Sequence, residues 1–114
     1  MEDWRAHTLK EISVLGELDV PASMLTPKDQ ADAHRALSDM IAFLIDHNFE
    51  KLLWILYRID VDEAQAKKLL AQHLPEEAPG LLATLILQRE EKKQQAREQF
   101  RREKPEDVDD ALLW

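Results

Sequence analysis

The sequence predicts an all-α protein: a compact bundle of four to five helices with an extended C-terminal helix. Three observations lead there. Apolar residues recur every three or four positions over most of the chain, which is helical period. No run alternates polar and apolar residues with β-branched enrichment, as a strand would. Two glycines and five prolines in 114 residues divide the chain into long segments with few places for loops.

The first helix is expected to start near Asp3 or at Thr8, where Thr8 and Glu11 have capping-box spacing. Leu9, Ile12, Leu15 and Leu18 share one face, and Gly16 and Pro21 end the element. Residues 19–25 read as an extended connector. The second helix is expected to start at Thr26, with Pro27 at its first position, where the missing N–H costs nothing. Ala33, Leu37, Met40, Ile41 and Leu44 form its inner face, Asp32, Asp39 and Asp46 lie opposite, and His47 marks its end. Asn48 is a suitable cap for a third helix, Phe49 to Arg58. The tetrapeptide Asp60-Val61-Asp62-Glu63, with Asp60 and Glu63 three apart, is expected to supply the cap of the fourth, with Val61, Ala66, Leu69 and Leu70 inward. Pro75 and Pro79 bracket a short acidic loop. The fifth helix then starts near Pro79 or Gly80, anchored by Leu81, Leu82, Leu85 and Ile86.

Composition shifts after Leu87, and three units follow: a helical bundle over 1–87, a charged helical extension over 88–104, and an acidic tail over 105–114. Their formal charges are −7, +3 and −4, which together make the chain's −8. Residues 88–104 hold only two apolar side chains, Ala96 and Phe100, yet are rich in strong helix formers. A solvated helical arm ended by Pro105 is the expectation.

Charge and motif content exclude several functions. An acidic body argues against nucleic-acid binding, which needs clustered Lys and Arg. The third and fourth helices have helix-turn-helix spacing, but the second would open with acidic residues where phosphates would lie. With no cysteine there is no thiolate metal site and no disulfide. His7, His34, His47 and His73 form no metal-binding spacing, and His47 and His73 suit helix C-termini. Ser13, Ser23, Ser38 and Thr84 lack a glycine-rich elbow, and the carboxylates fall on polar faces, caps or the tail. No enzyme, cofactor or metal is therefore expected. The N-terminus lacks a basic region followed by an apolar stretch, and Leu52–Tyr57 is too short to span a bilayer. A cytoplasmic protein without membrane contact is expected, with that run buried on all sides.

Two clusters are candidate sites. Phe49, Trp54 and Tyr57 are expected to be core, Phe49 above all, with one of the three reaching a dimer surface because a ten-residue helix cannot bury every side. An alternative reading makes Trp54, Tyr57 and Arg58 the wall of a pocket for a small molecule or metal, with possible catalytic use. The tail places Leu112, Leu113 and Trp114 after the acidic Asp107, Asp109 and Asp110. Such a segment suits docking: acidic groups steer, and leucine and tryptophan anchor. Phe100, Asp109, Asp110, Leu112, Leu113 and Trp114 are thus the expected partner-binding residues. The target would be another protein, a sister subunit or the basic arm itself, and a homodimer through helices three and five is a further expectation.

The stretch Asp46-His47-Asn48-Phe49-Glu50-Lys51-Leu52-Leu53-Trp54-Ile55-Leu56-Tyr57-Arg58-Ile59-Asp60-Val61 resembles one in small uncharacterised bacterial all-helical proteins, which have an FEKLLxxLYRIDV core and a later Leu-Ile-rich helix rich in Gln, Arg and Lys. The resemblance covers about half of the chain and implies a helical fold in a bacterial cytosol. It brings no catalytic motif. The function expected is a non-enzymatic protein-interaction or regulatory module that works by helix-face packing and tail docking.

Overall fold

The computed structural model describes residues 4–103. Among them are five α-helices and no strand: α1 (Trp4–Leu15), α2 (Gln30–His47), α3 (Phe49–Arg58), α4 (Glu63–Gln72) and α5 (Ala78–Glu103). Short 3-10 turns at Ala22–Leu25 and Pro75–Glu77 precede α2 and α5. The expected all-α bundle with a long last helix is what the chain forms.

α2 is the central element, packed on α1, α3 and α5, while α5 also carries α1 and α4. Leu37, Met40, Ile41 and Leu44 of α2 join Leu9 and Ile12 of α1, Leu52 and Ile55 of α3, and Leu82 and Ile86 of α5 in one core. Each such side chain contributes roughly 1.5–3 kcal/mol by leaving water. Ala33 and Ala83 are wholly buried on the two most extensively paired helices. At the polar edge of that seam His34 Nε2 lies 2.9 Å from the Gly80 carbonyl oxygen and 3.0 Å from Thr84 Oγ1. The carbonyl can only accept, so His34 carries its proton on Nε2 and donates it there.

α1 starts at Trp4, beside the expected Asp3, but helix capping differs from expectation at three places, each for a local reason. α2 begins not at Thr26 but at Asp29, whose carboxylate accepts the Asp32 N–H at 2.8 Å. Asp32 reciprocates by accepting the Lys28 N–H at 3.0 Å. Thr26 instead donates its hydroxyl to the Ala22 carbonyl, closing a 3-10 turn where an extended connector was expected. Thr8 is no cap, since it lies within α1 and donates to the Trp4 carbonyl. α4 is capped by Asp62, which accepts from the Ala64 and Gln65 N–H groups, because Asp60 is occupied in the preceding turn. Asn48 does cap α3 as expected, accepting the Lys51 N–H at 3.1 Å. Its own N–H donates to the Leu44 carbonyl, so one residue closes α2 and opens α3.

α1 and α3 end in the same motif. Leu18 and Val61 each donate back to a carbonyl five residues earlier, and Glu17 and Asp60 each donate back three. This pairing is a Schellman stop, which places its turning residue in the left-handed region. Those residues are Glu17 (φ 54°) and Asp60 (φ 65°), neither of them glycine. Gly16 sits one position early, where an added Cβ would lie 3.2 Å from the Ile12 carbonyl oxygen and from Leu18 Cγ.

The inner part of the charged extension is docked on the bundle. Arg89 bonds Asp60 at 2.9 Å, and the Lys93 ammonium donates to the Ile59 carbonyl at 2.9 Å and to Glu90 at 3.4 Å. Lys93 thereby caps the negative end of α3. From Gln95 onward α5 is mostly exposed, in keeping with a solvated arm.

Asp29→Ala should lower the unfolding free energy by about 1 kcal/mol in urea titrations, and Thr26→Ala by less than about 0.5 kcal/mol. Lys93→Ala should cost about 1–2 kcal/mol, because its bond is charge-assisted and partly shielded, whereas exposed Lys92→Ala should be close to neutral.

Candidate interaction surface

α3 is not buried on all sides. Its inner residues Leu52, Ile55 and Leu56, continued by Ile59, meet the core and satisfy it. On the remaining sides Phe49 is 43% exposed, Leu53 48%, Trp54 45% and Tyr57 83%. The expectation that Phe49 is core is therefore corrected. A ten-residue helix packed against α2 turns only one face inward, and four aliphatic residues already fill it.

The outer face consists of two adjacent rows at i, i+4, i+8 spacing. One row is Phe49–Leu53–Tyr57, and the other is Glu50–Trp54–Arg58. Residues four apart stack along a helix surface, so each row is a continuous ridge. Lys51 borders the second ridge, with its ammonium 5.4 Å from the Trp54 ring centroid and 3.9 Å from the Glu17 carboxylate. That contact covers one side of the indole and ties α3 to the end of α1. Glu50 and Arg58 are exposed and make no ion pair among the described residues.

Trp54, Tyr57 and Arg58 share this convex face, and none of them lines the concavities described next. A groove of about 910 Å³ runs between α2 and α5, bordered by His34, Arg35, Ser38, Thr84, Gln88 and Glu91. His34 and Thr84 are engaged there in the interhelical bonds already given. A smaller apolar hollow of about 270 Å³ lies beside Leu18, Val20, Pro21, Met24, Met40 and Phe43. Phe43 is half-exposed and stacks on His47 at 4.0 Å, while His47 Nδ1 bonds the Phe43 carbonyl at 2.9 Å. His7 and His73 each approach a glutamate one turn along, Glu11 at 3.7 Å and Glu77 at 3.9 Å. Among the described residues no group of three or more His, Asp or Glu could hold a metal ion.

Of the expected partner-binding residues, Phe100 is 58% exposed on the outer stretch of α5. It lies seven positions, or about 10 Å of helix, beyond Lys93. Asp109, Asp110, Leu112, Leu113 and Trp114 lie outside the described residues. Leu53 and Glu50 were not singled out by the sequence, although the paired four-residue rows are legible once α3 is bounded by Asn48 and Arg58. No family model, no curated protein and no solved structure matches the chain. Among the described residues no helix is long and apolar enough to cross a membrane.

Leu53→Asp should lower the unfolding free energy by about 1–2 kcal/mol, since only half of the Leu53 side chain is shielded from water. Leu52→Ala, one position earlier and wholly buried, should cost about 2–5 kcal/mol in the same denaturation experiment.

Proposed function

We propose that the chain is a non-enzymatic protein-interaction module whose working surface is the outer face of α3. The observation that carries this reading is the ridge pair just described, four large apolar side chains left in water on one short helix. From their exposed fractions they present on the order of 400 Å² per copy, the size of a contact patch rather than of scattered surface residues. Tryptophan and tyrosine are the side chains most often found at the energetic centre of interfaces, and arginine joins them at position 58. The histidines and hydroxyls favour the same reading, because His34, His47, Thr8, Thr84, Ser13 and Ser38 each have a hydrogen bond that fastens helix to helix or closes a turn. The acidic C-terminal segment ending in Leu112, Leu113 and Trp114 is proposed as a second contact element on the sequence argument alone, in a cytoplasmic setting.

A photo-crosslinking amino acid, benzoylphenylalanine, tests the surface when placed at Tyr57 and, as control, at exposed Ala64 of α4. Irradiation of intact cells should give cross-linked adducts at position 57 at least about fivefold above position 64, given the central place of such residues in interfaces. Equal yields at the two positions would overturn the reading. Repeating the experiment on a chain lacking residues 106–114 tells whether the tail shares the contact.

A further inference from the structure

We infer that the partner covering the outer face of α3 is a second copy of this chain, the two helices lying antiparallel about a two-fold axis near Leu53 and Trp54. This rests on the reading of that face as an interaction surface and adds the occupant and its orientation.

The argument is one of self-complementarity. A two-fold contact puts the same patch on both partners, so each group must find its complement on the same surface. The ridge Glu50–Trp54–Arg58 meets that condition: its acid lies one turn before the tryptophan and its base one turn after. Antiparallel pairing across Trp54 sets Glu50 of one copy against Arg58 of the other, twice. It also brings Phe49 opposite Tyr57 and leaves Leu53 near its own counterpart on the axis. Parallel pairing would instead set each ridge against the other, Glu50 beside Phe49 and Arg58 beside Tyr57, and would leave both charges without a complement. Both charged residues are exposed and have no ion pair among the described residues, so neither has to leave an existing partner. The apolar centre and charged ends give the usual layout of an interface, with the hydrophobic part inside and the polar part at the rim.

The area sets the strength. About 400 Å² per copy is roughly half of what each partner gives to a standard interface, so the dimer is reversible, with a dissociation constant on the order of 10–100 µM.

Sedimentation equilibrium on the full chain, from about 5 to 300 µM, brackets that range. The wild type should move from monomer to dimer, while Leu53→Asp stays monomeric. Glu50→Arg and Arg58→Glu should each weaken the dimer about tenfold, and the double exchange should restore it to within about threefold. Added salt should weaken the wild-type dimer but strengthen each single variant, since it screens attraction in one and repulsion in the others. A dimer indifferent to both single exchanges would overturn the antiparallel α3 contact. A wild-type chain that stays monomeric throughout overturns the proposal. If deleting residues 106–114 then released a dimer, the chain's own C-terminal segment would be the occupant. Should Tyr57 cross-link to other proteins but never to itself, the second copy falls while the surface stands. Should it cross-link to nothing, both fall.

Discussion

The seam between α2 and α5 is the constraint from which the other placements follow. α2 is eighteen residues long and lends apolar side chains to α1, α3 and α5 together. Its buried set, from Ala33 to Leu44, is consumed by those three neighbours. His34 fixes how the two long helices sit along one another, because a histidine donating to the Gly80 carbonyl tolerates little sliding. Once that seam is set, α3 has a single place to pack. It follows α2 after one residue, and Asn48 turns the chain too sharply for α3 to reach the far side of the bundle.

The open face of α3 is thus a consequence of topology as much as of composition. α4, which could have covered it, packs on α5 instead and contributes only Ala66 as a buried side chain. What directs α4 there is the stop after α3. Asp60 takes the left-handed conformation, Val61 drops into the core beside Leu56, and Asp62 starts the next helix within two residues. The backbone cost of a non-glycine residue in that conformation is about 1–2 kcal/mol, less for aspartate, which visits the region more readily. Arg89 and Lys93 offset it by binding the Asp60 side chain and the Ile59 carbonyl.

Much of this architecture is legible in the sequence, and the limits are physical ones. The all-α class, the inner face of α2 and the Asn48 boundary follow from spacing and capping chemistry. The exact caps of α2 and α4 are not legible because several residues in each stretch have capping side chains. Thr26 and Asp29, like Asp60 and Asp62, compete for one role, and tertiary context chooses. The Schellman stops were hidden because neither carries the glycine that usually announces one. Phe49, Trp54 and Tyr57 read as core because hydrophobicity names what prefers burial; the shortness of α3 points to one of them at the surface, whereas all three are exposed. Of the site itself, Trp54, Tyr57 and Arg58 are visible in the sequence as a group, but their meaning depends on α4 lying elsewhere.

The same docking changes what the charge distribution implies. A +3 extension next to a −7 body predicts a solvated basic arm. Arg89 and Lys93, two of the extension's seven basic side chains, are instead committed to the α3–α4 turn. Lys93 also lies against Glu90, and Gln94 and Gln95 each reach a glutamate on α5. Arg89, Lys93, Arg97 and Arg101 share one ridge of α5 at four-residue spacing, with Glu90, Glu91 and Glu98 beside it, and the inner two of the four are the ones engaged by the turn. Phosphate backbones are held by clustered cations whose counterions are released on contact, and with Arg89 and Lys93 engaged the described part of that ridge presents Arg97 and Arg101. The extension therefore acts first on its own bundle: its cations hold the turn that sends α4 away from α3, and so keep the outer ridges of α3 uncovered.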